Sequence, residues 1–346
     1  QTVLSTGCAA VPLPPGVSGI QLPIGGGVRR AWRAASAAQV LNQQVQQAHV
    51  VHLHGIWMWV QWAAARSAIQ QHKPFLLSLH GMLEPWIWQR QHWIHQIKKK
   101  LYWQSVAYPV FQHASLIHAI HPREAENLKT YFPGLPIRVI SPSLDLQAID
   151  HMYASAAPDP SPEPYILFLG RIHPVKGIDL LIRAFVQLDA PGVRLKIAGP
   201  TSPRESAYAH QVRRLVVDAG LEERVEFLGA VQSHQKWALL RNAWVFCLPS
   251  HSEVIGMVNL EAAACRTPVI TTRATGISPA WIEAGGLLVE TSVTALADAM
   301  QQALKWTSQE RCARGDSLHR LIETTYSWKA TSALWVELYQ QLSGGA

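Results

Sequence analysis

Apolar positions along this chain form two series in which short runs alternate with helix-period segments. In the first, Ala48–Leu53, Pro74–Leu79 and Ser115–Ala119 are too short for helices and read as buried strands, with Val139–Ile140 closing the series. Between them, Ala31–Gln46, Trp59–Gln71, Trp86–Ala107 and Pro122–Tyr131 carry helical spacing. The second series predicts strands at Tyr165–Leu169, Val193–Ala198, Val225–Leu228, Trp244–Leu248 and Pro268–Thr271. Its helices are expected over Ile178–Gln187, Ser206–Ala219, Gln235–Arg241 and Met257–Ala264. Three amphipathic segments, Ala295–Lys305, Gln309–Thr325 and Trp328–Leu342, close the chain. Continuously apolar strands joined by helices predict parallel sheets covered on both faces.

The two series are separated by Ala-Ser-Ala-Ala-Pro-Asp-Pro-Ser-Pro-Glu-Pro at 154–164. Proline removes amide donors and restricts its neighbours, so this stretch reads as a linker. The expected fold class is therefore α/β, with two Rossmann-like, doubly wound parallel-sheet domains at 1–153 and 165–346. The last helix, about 328–342, is expected to pack back on the first domain. Ligands in such sheets sit at the carboxyl ends of strands, here expected in a cleft where the domains face each other.

Composition narrows the function classes. With 48% hydrophobic and 15% charged residues in 346, the chain is not disordered, and its length suits two domains. No apolar run approaches the roughly 18–20 residues of a membrane span. Gln1–Gly7 lacks the basic and apolar regions of a signal peptide, and Cys8, Cys247, Cys265 and Cys312 show no CxxC spacing. A cytoplasmic protein with reduced thiols is expected. Up to Asp150 there are 12 Lys and Arg against 5 Asp and Glu, and beyond it 18 against 18. The first half thus carries the whole excess, which suits an anionic partner such as a membrane surface or lipid diphosphate as well as it suits plain solvated surface. Arg29, Arg30, Arg33 and Lys98-Lys99-Lys100, with Trp86, Trp88, Trp93 and Trp103 nearby, form the expected membrane-facing set. No nucleic-acid-binding motif is present, so no nucleic acid partner is expected.

Two stretches carry chemistry. Strand Tyr165–Leu169 runs into Gly170-Arg171-Ile-His-Pro-Val-Lys176-Gly177 and a helix. Glycine lets backbone approach a ligand, a helix amino terminus favours anions, and two cations share the turn, which suits a diphosphate. The second stretch is Pro249-Ser-His-Ser-Glu253-Val-Ile-Gly256-Met257-Val258-Asn-Leu-Glu261. Glu261, inside a helix, can grip the vicinal hydroxyls of a ribose, and amides at Gly256–Val258 can hold phosphate oxygens. Each stretch alone is equally a solvated loop or a capped helix with surface charges.

Together they resemble the signature of family 4 retaining glycosyltransferases, which have the GT-B fold. The family pattern of a GR-x4-K turn, a V-x-F-x-G strand and an E-x7-E block is matched in order by Gly170-Arg171…Lys176, Val225-Glu-Phe-Leu-Gly229 and Glu253…Glu261, followed by Thr267-Pro268-Val269. His52-Leu-His54-Gly55 and His80-Gly81-Met-Leu-Glu84-Pro85-Trp86 look like strand-end blocks of a polysaccharide-building branch. The resemblance implies a nucleotide-diphosphate sugar as donor and a glycan or lipid-linked saccharide as acceptor. Together with the cysteine and charge readings, the expected location is cytoplasmic, peripheral at the inner face of the membrane. Arg171 and Lys176 would bind the diphosphate and stabilise the leaving charge. Glu253 would face the transferred sugar, Glu261 the ribose, and Gly256, Met257 and Val258 the phosphate or sugar oxygens. His80 would reach the donor sugar from the first domain, while His54 is expected to be structural and Glu84 has no firm role. With no D-x-D sequence, no metal or other cofactor is expected.

Three departures qualify the resemblance. The family's first strand, Gly-rich loop and helix have no counterpart ahead of Val3, so the chain as it stands is expected to turn over poorly. Val254-Ile255 replaces a small-then-aromatic pair, and Arg266 stands where the family has glycine. Two other readings stay open: a nucleotide-sugar epimerase on the same fold, and a catalytically impaired nucleotide-sugar-binding paralogue.

Overall fold

The computed structural model describes residues 1–5, 15–22, 35–85, 93–155 and 163–344. The chain folds into two compact units, Gln1–Ile140 with Leu334–Ala346, and Ser141–Ala333. In unit 1, β1 (Thr2–Ser5) and β2 (Ser18–Gln21) pair in parallel as a small separate sheet. β3 (Val51–His54), β4 (Phe75–Ser78), β5 (Leu116–Ala119) and β6 (Ile137–Val139) form a four-stranded parallel sheet in that order. Unit 2 has β7 (Tyr165–Leu169), β8 (Arg194–Ala198), β9 (Val225–Gly229), β10 (Val245–Leu248), β11 (Val269–Thr272) and β12 (Leu287–Val289). They form one parallel sheet in the order β12-β11-β10-β7-β8-β9. The order runs outward in both directions from β7, so the sheet is doubly wound, with its switch point between β10 and β7.

The apolar strands are buried as their patterns require: every residue of β4, β7, β10 and β11 is buried. Several elements depart from the sequence reading. The helix expected over Trp86–Ala107 is described from Trp93, passes through a π-helical turn at Trp103–Ala107, and continues to Phe111. Pro109, with no amide to donate, sits at the start of that last turn, where helices tolerate it. The first unit ends at Ile140 rather than at 153, because helix Leu146–Ser155 packs on helices Ser233–Asn242 and Met257–Ala264. Arg241 fixes it there, donating to the Tyr153 carbonyl at 2.6 Å. The linker reading at 156–162 and Arg29, Arg30, Arg33, Trp86 and Trp88 lie outside the described residues. β12 lies behind Gly285-Gly286 and was hidden in the sequence by them. Arg266 does adopt the left-handed conformation, φ 53°, a strain of about 1–2 kcal/mol. Its guanidinium lies 3.4 Å from Asp316 and 3.9 Å from Asp150.

Strand alternation sets the two faces of the unit 1 sheet. Phe75, Leu77, Leu53 and Ile117 face the main core with Leu41 and Phe111. Leu76 faces the opposite side, packed with Ile140 and with Leu338 of the last helix. The parallel register aligns His54, Ser78 and His118 across that same side, with His52 two residues before His54. The result is a one-way hydrogen-bond chain. The Ile140 carbonyl can only accept, so His118 donates to it from Nε2 at 2.9 Å. Neutral His118 then accepts at Nδ1 from the Ser78 hydroxyl, 2.7 Å away. Ser78 Oγ accepts from His52 Nε2, and His52 Nδ1 accepts from the Tyr339 hydroxyl, both at 2.7 Å. Tyr339 lies on the last helix, Trp328–Ser343, so this chain bonds the helix to the sheet.

Burial holds His52 down at about 3 and His118 at about 4. In the unfolded chain both titrate near 6.5. On acidification the unfolded state therefore gains protons first, and stability present above pH 6.5 is lost progressively as pH falls toward 4. Buried Glu84 and Glu124 are shifted up and act in the opposite sense, so a difference isolates the histidines. Between pH 6.5 and 4 the melting temperature of the parent should fall more steeply than that of His118→Gln. Parallel curves in calorimetry would contradict the chain's titration behaviour.

Candidate functional site

In unit 2 the two chemistry-bearing stretches follow adjacent strands, β7 and β10, and the fold ties them backbone to backbone. After Gly170 and Arg171, Pro174–Lys176 form a short 3-10 turn whose Val175 amide donates to His173 Nδ1 at 3.0 Å. Gly177, φ 65°, then starts helix Ile178–Val186. The His251 amide of the β10 loop donates to the Val175 carbonyl at 2.8 Å. A Cβ on Gly177 would fall 2.2 Å from the Pro249 carbonyl oxygen, so only glycine permits the approach.

That contact brings the charges together. Lys176 Nζ pairs with Glu253 Oε1, both side chains largely buried. Glu253 is itself pinned, since its amide donates to the Ala274 carbonyl and its own carbonyl accepts from Gly276. Gly256, φ 66°, starts helix Met257–Ala264, and an added Cβ would lie 2.8 Å from Asn259 Nδ2. Met257 and Val258 are the first residues of that helix, where amides have no carbonyl one turn back. Glu261, on its inner part, pairs through Oε1 with Lys236 Nζ at 2.7 Å. Glu261 Oε2, Asn259 Oδ1 and Ser250 Oγ are buried without a hydrogen-bond partner among the described residues. Leaving such an atom unpaired costs about 1–3 kcal/mol, so a ligand hydroxyl there would be favoured. Arg171 is more exposed, 3.9 Å from Glu205 Oε1, which His173 Nε2 also approaches at 3.7 Å.

Unit 2 thus assembles Gly170, Arg171, Lys176, Glu253, Gly256, Met257, Val258 and Glu261 at the carboxyl ends of β7 and β10. His80 belongs to unit 1, two residues beyond β4. It has φ 51°, and its Nε2 lies 2.9 Å from His54 Nδ1. Burial lowers the pKa of both rings, and His80 lowers His54 further. Glu84 is buried nearby in sequence, its carboxyl raised by burial and its Oε1 without a hydrogen-bond partner among the described residues.

Sequence reasoning missed Lys236, Glu205, Asn259 and Glu124. Glu205 had a signal, because Ser202-Pro-Arg-Glu205 has capping-box spacing and forms one. Lys236 had none; it reaches Glu261 only because helices Ser233–Asn242 and Met257–Ala264 pack together. Among the described residues, no group of three His, Cys, Asp or Glu could hold a metal ion. None of the described helices is long and apolar enough to cross a membrane.

Two units each built on a parallel sheet, sequentially ordered in unit 1 and doubly wound in unit 2, are found in solved structures of the GT-B class. Sucrose-phosphate synthase from Thermosynechococcus elongatus matches all of this chain and 89% of its own at TM-score 0.76, with 22% identity. Anabaena Alr3699/HepE, solved in complex with UDP and glucose, matches 94% of this chain and 86% of its own at TM-score 0.70, with 18% identity. These likenesses show the GT-B fold. Residues 154–328 match the family described as glycosyl transferases group 1, and residues 4–148 match glycosyltransferase family 4. The chain belongs to this glycosyltransferase family. D-inositol 3-phosphate glycosyltransferase of Mycobacterium tuberculosis is 32% identical over 238 residues, which are 67% of this chain and 47% of that protein. The chain spans about half the length of the curated relatives it matches.

Gly177→Ala tests the backbone contact on which the site is built. The clash with Pro249 and the left-handed strain should cost about 1–3 kcal/mol of stability in urea denaturation. Unchanged stability would mean the two loops do not approach as described.

Proposed function

We propose that this chain transfers a sugar, with retention of anomeric configuration, from a nucleotide-diphosphate donor to a glycan or lipid-linked saccharide, without a metal ion. The observation that carries the reading is the Lys176–Glu253 pair on two loops bonded to each other, beside the Lys236–Glu261 pair on two packed helices, with one Glu261 oxygen still unpartnered. Glu261 accepts from the ribose hydroxyls through that oxygen. Arg171 and Lys176 face the diphosphate, and the Met257 and Val258 amides add fixed dipoles. As the bond at the anomeric carbon breaks, negative charge grows on the departing phosphate. Preorganised cations and amides aimed at that phosphate lower the barrier most. In this reading Lys176 exchanges part of its contact with Glu253 for phosphate oxygen, releasing Glu253 toward the transferred sugar. His80 is read as a further contact to the transferred sugar. The UDP and glucose bound by the Anabaena neighbour make UDP-glucose the first donor to try.

The two carboxylates should separate experimentally. Glu261→Gln removes a contact to a part of the donor that does not react, so nucleotide affinity should fall by about 1.5–3 kcal/mol. Glu253→Gln should leave free-nucleotide affinity nearly unchanged and lower turnover by about a hundredfold, because the anomeric carbon is misplaced. Calorimetry with free nucleotide, beside initial rates with donor, checks both. Parent-like nucleotide affinity in Glu261→Gln, or parent-like turnover in Glu253→Gln, would sink the assignment.

The acceptor reading places the chain peripherally at the cytoplasmic face of an anionic membrane. Helix Trp93–Tyr102 carries Lys98, Lys99 and Lys100 and no acidic residue, and leaves Trp93 63%, Ile97 47% and Leu101 57% exposed. Sedimentation with vesicles should show binding to anionic but not neutral lipid, weakened by Lys98→Glu. Equal retention on both vesicle types would reject it.

A further inference from the structure

We propose that His54 and Glu124 are positioning residues for His80, His54 holding its ring and Glu124 its backbone. The inference rests on the reading of His80 as a donor-sugar contact and adds two residues to it.

His80 and Gly81 are successive left-handed residues, φ 51° and 75°. Glycine adopts this freely, but a histidine side chain crowds its own backbone there, so the surroundings must hold it. Glu124 does so. Its carboxylate is 1% exposed and accepts the Gly81 amide at Oε1, 2.7 Å, and the Ile120 amide at Oε2, 2.8 Å. One carboxylate therefore clamps the turn after β4 to the turn after β5. It is itself fixed at the start of helix Pro122–Tyr131, where its own amide donates to His121 Nδ1 at 3.2 Å.

The ring is held separately. His54 Nδ1 lies 2.9 Å from His80 Nε2, with ring planes within 8° and centroids 5.2 Å apart. In a pair of neutral imidazoles one nitrogen donates and the other accepts. His80 Nε2 is thereby occupied, and Nδ1 is the nitrogen left to face a ligand. His54 is stacked in turn on His52, centroids 4.1 Å apart. The His52 ring cannot turn freely, because both its nitrogens belong to the one-way chain from Tyr339 to Ile140. Three imidazoles thus form a column whose base is bonded to the last helix and whose top is His80.

The distinguishing property of a positioning residue is loss of turnover without loss of binding. Rates, donor KM and free-nucleotide affinity should be compared in the full chain for His80→Ala, His54→Leu, His54→Asn and Glu124→Gln. His54→Leu and Glu124→Gln should each lower kcat about ten- to a hundredfold, with KM and nucleotide affinity within about twofold of the parent. Gln at 124 presents an amide NH2 to one of the two backbone donors and so keeps only one bond. Asn can offer a hydrogen-bonding atom near the former Nδ1, so His54→Asn should recover most of the rate. Adding His54→Leu to His80→Ala should slow it no further. The proposal is overturned if His54→Leu turns over like the parent, or if its effect adds fully to that of His80→Ala. Full turnover in His80→Ala would instead overturn the reading of His80 itself. Should Glu124→Gln fold poorly, the His54 variants still decide.

Discussion

The hydrogen bond from the His251 amide to the Val175 carbonyl, with the bare Gly177 backbone beside Pro249, is the interaction on which the unit 2 site depends. β7 and β10 are neighbours in the sheet, so their loops emerge side by side. Backbone contact between loops is stiffer than any side-chain bridge could be. It sets Lys176 against Glu253 with neither side chain searching for the other. The same loop then ends at Gly256, which aims a helix amino terminus into the same region. Charges placed on rigid backbone cost little reorganisation when a ligand's charge develops between them.

Unit 1 solves a different problem with the same strand geometry. One face of its sheet is apolar and fills the core, while the other carries His52, His54, Ser78 and His118 in register. A polar face can be buried only if every group on it is paired. The directed chain ending at Ile140 achieves this for His52, Ser78 and His118, and Trp335 covers it with its ring 4.6 Å from His118 and 5.4 Å from His52. Tyr339 on the last helix completes the chain, so closing a polar surface and docking a helix are one event.

Much of this was legible in the sequence for stated reasons. β4, β7, β10 and β11 are buried throughout and mostly apolar because both faces are covered, and such runs stand out. The Gly-Arg-x4-Lys turn and the Glu-x7-Glu block were visible because backbone geometry restricts residue type at Gly177 and Gly256. What stayed hidden depends on packing between elements distant in sequence. Lys236 meets Glu261 through helix contact, and Glu124 meets Gly81, 43 residues away, across two strand ends. The histidine face was present as a His-x-His repeat in β3 and a lone His in β5. Its meaning appeared only with the register that aligned them on Ser78. Arg266 is the instructive exception: it stood out in the sequence, and the backbone there is indeed left-handed, with the guanidinium beside carboxylates on two other elements.

On the proposed function, fixed cations and carboxylates of unit 2 hold a nucleotide-diphosphate sugar whose sugar leaves without a metal ion. Incubation with a panel of nucleoside-diphosphate sugars in the presence of a chelator, followed by phosphorus and proton NMR, tests it most directly. The expected products are free nucleoside diphosphate together with a glycoside, or hydrolysed sugar, that is released with the donor's anomeric configuration. An isomerised donor, inversion at the anomeric carbon, or turnover abolished by the chelator would contradict it.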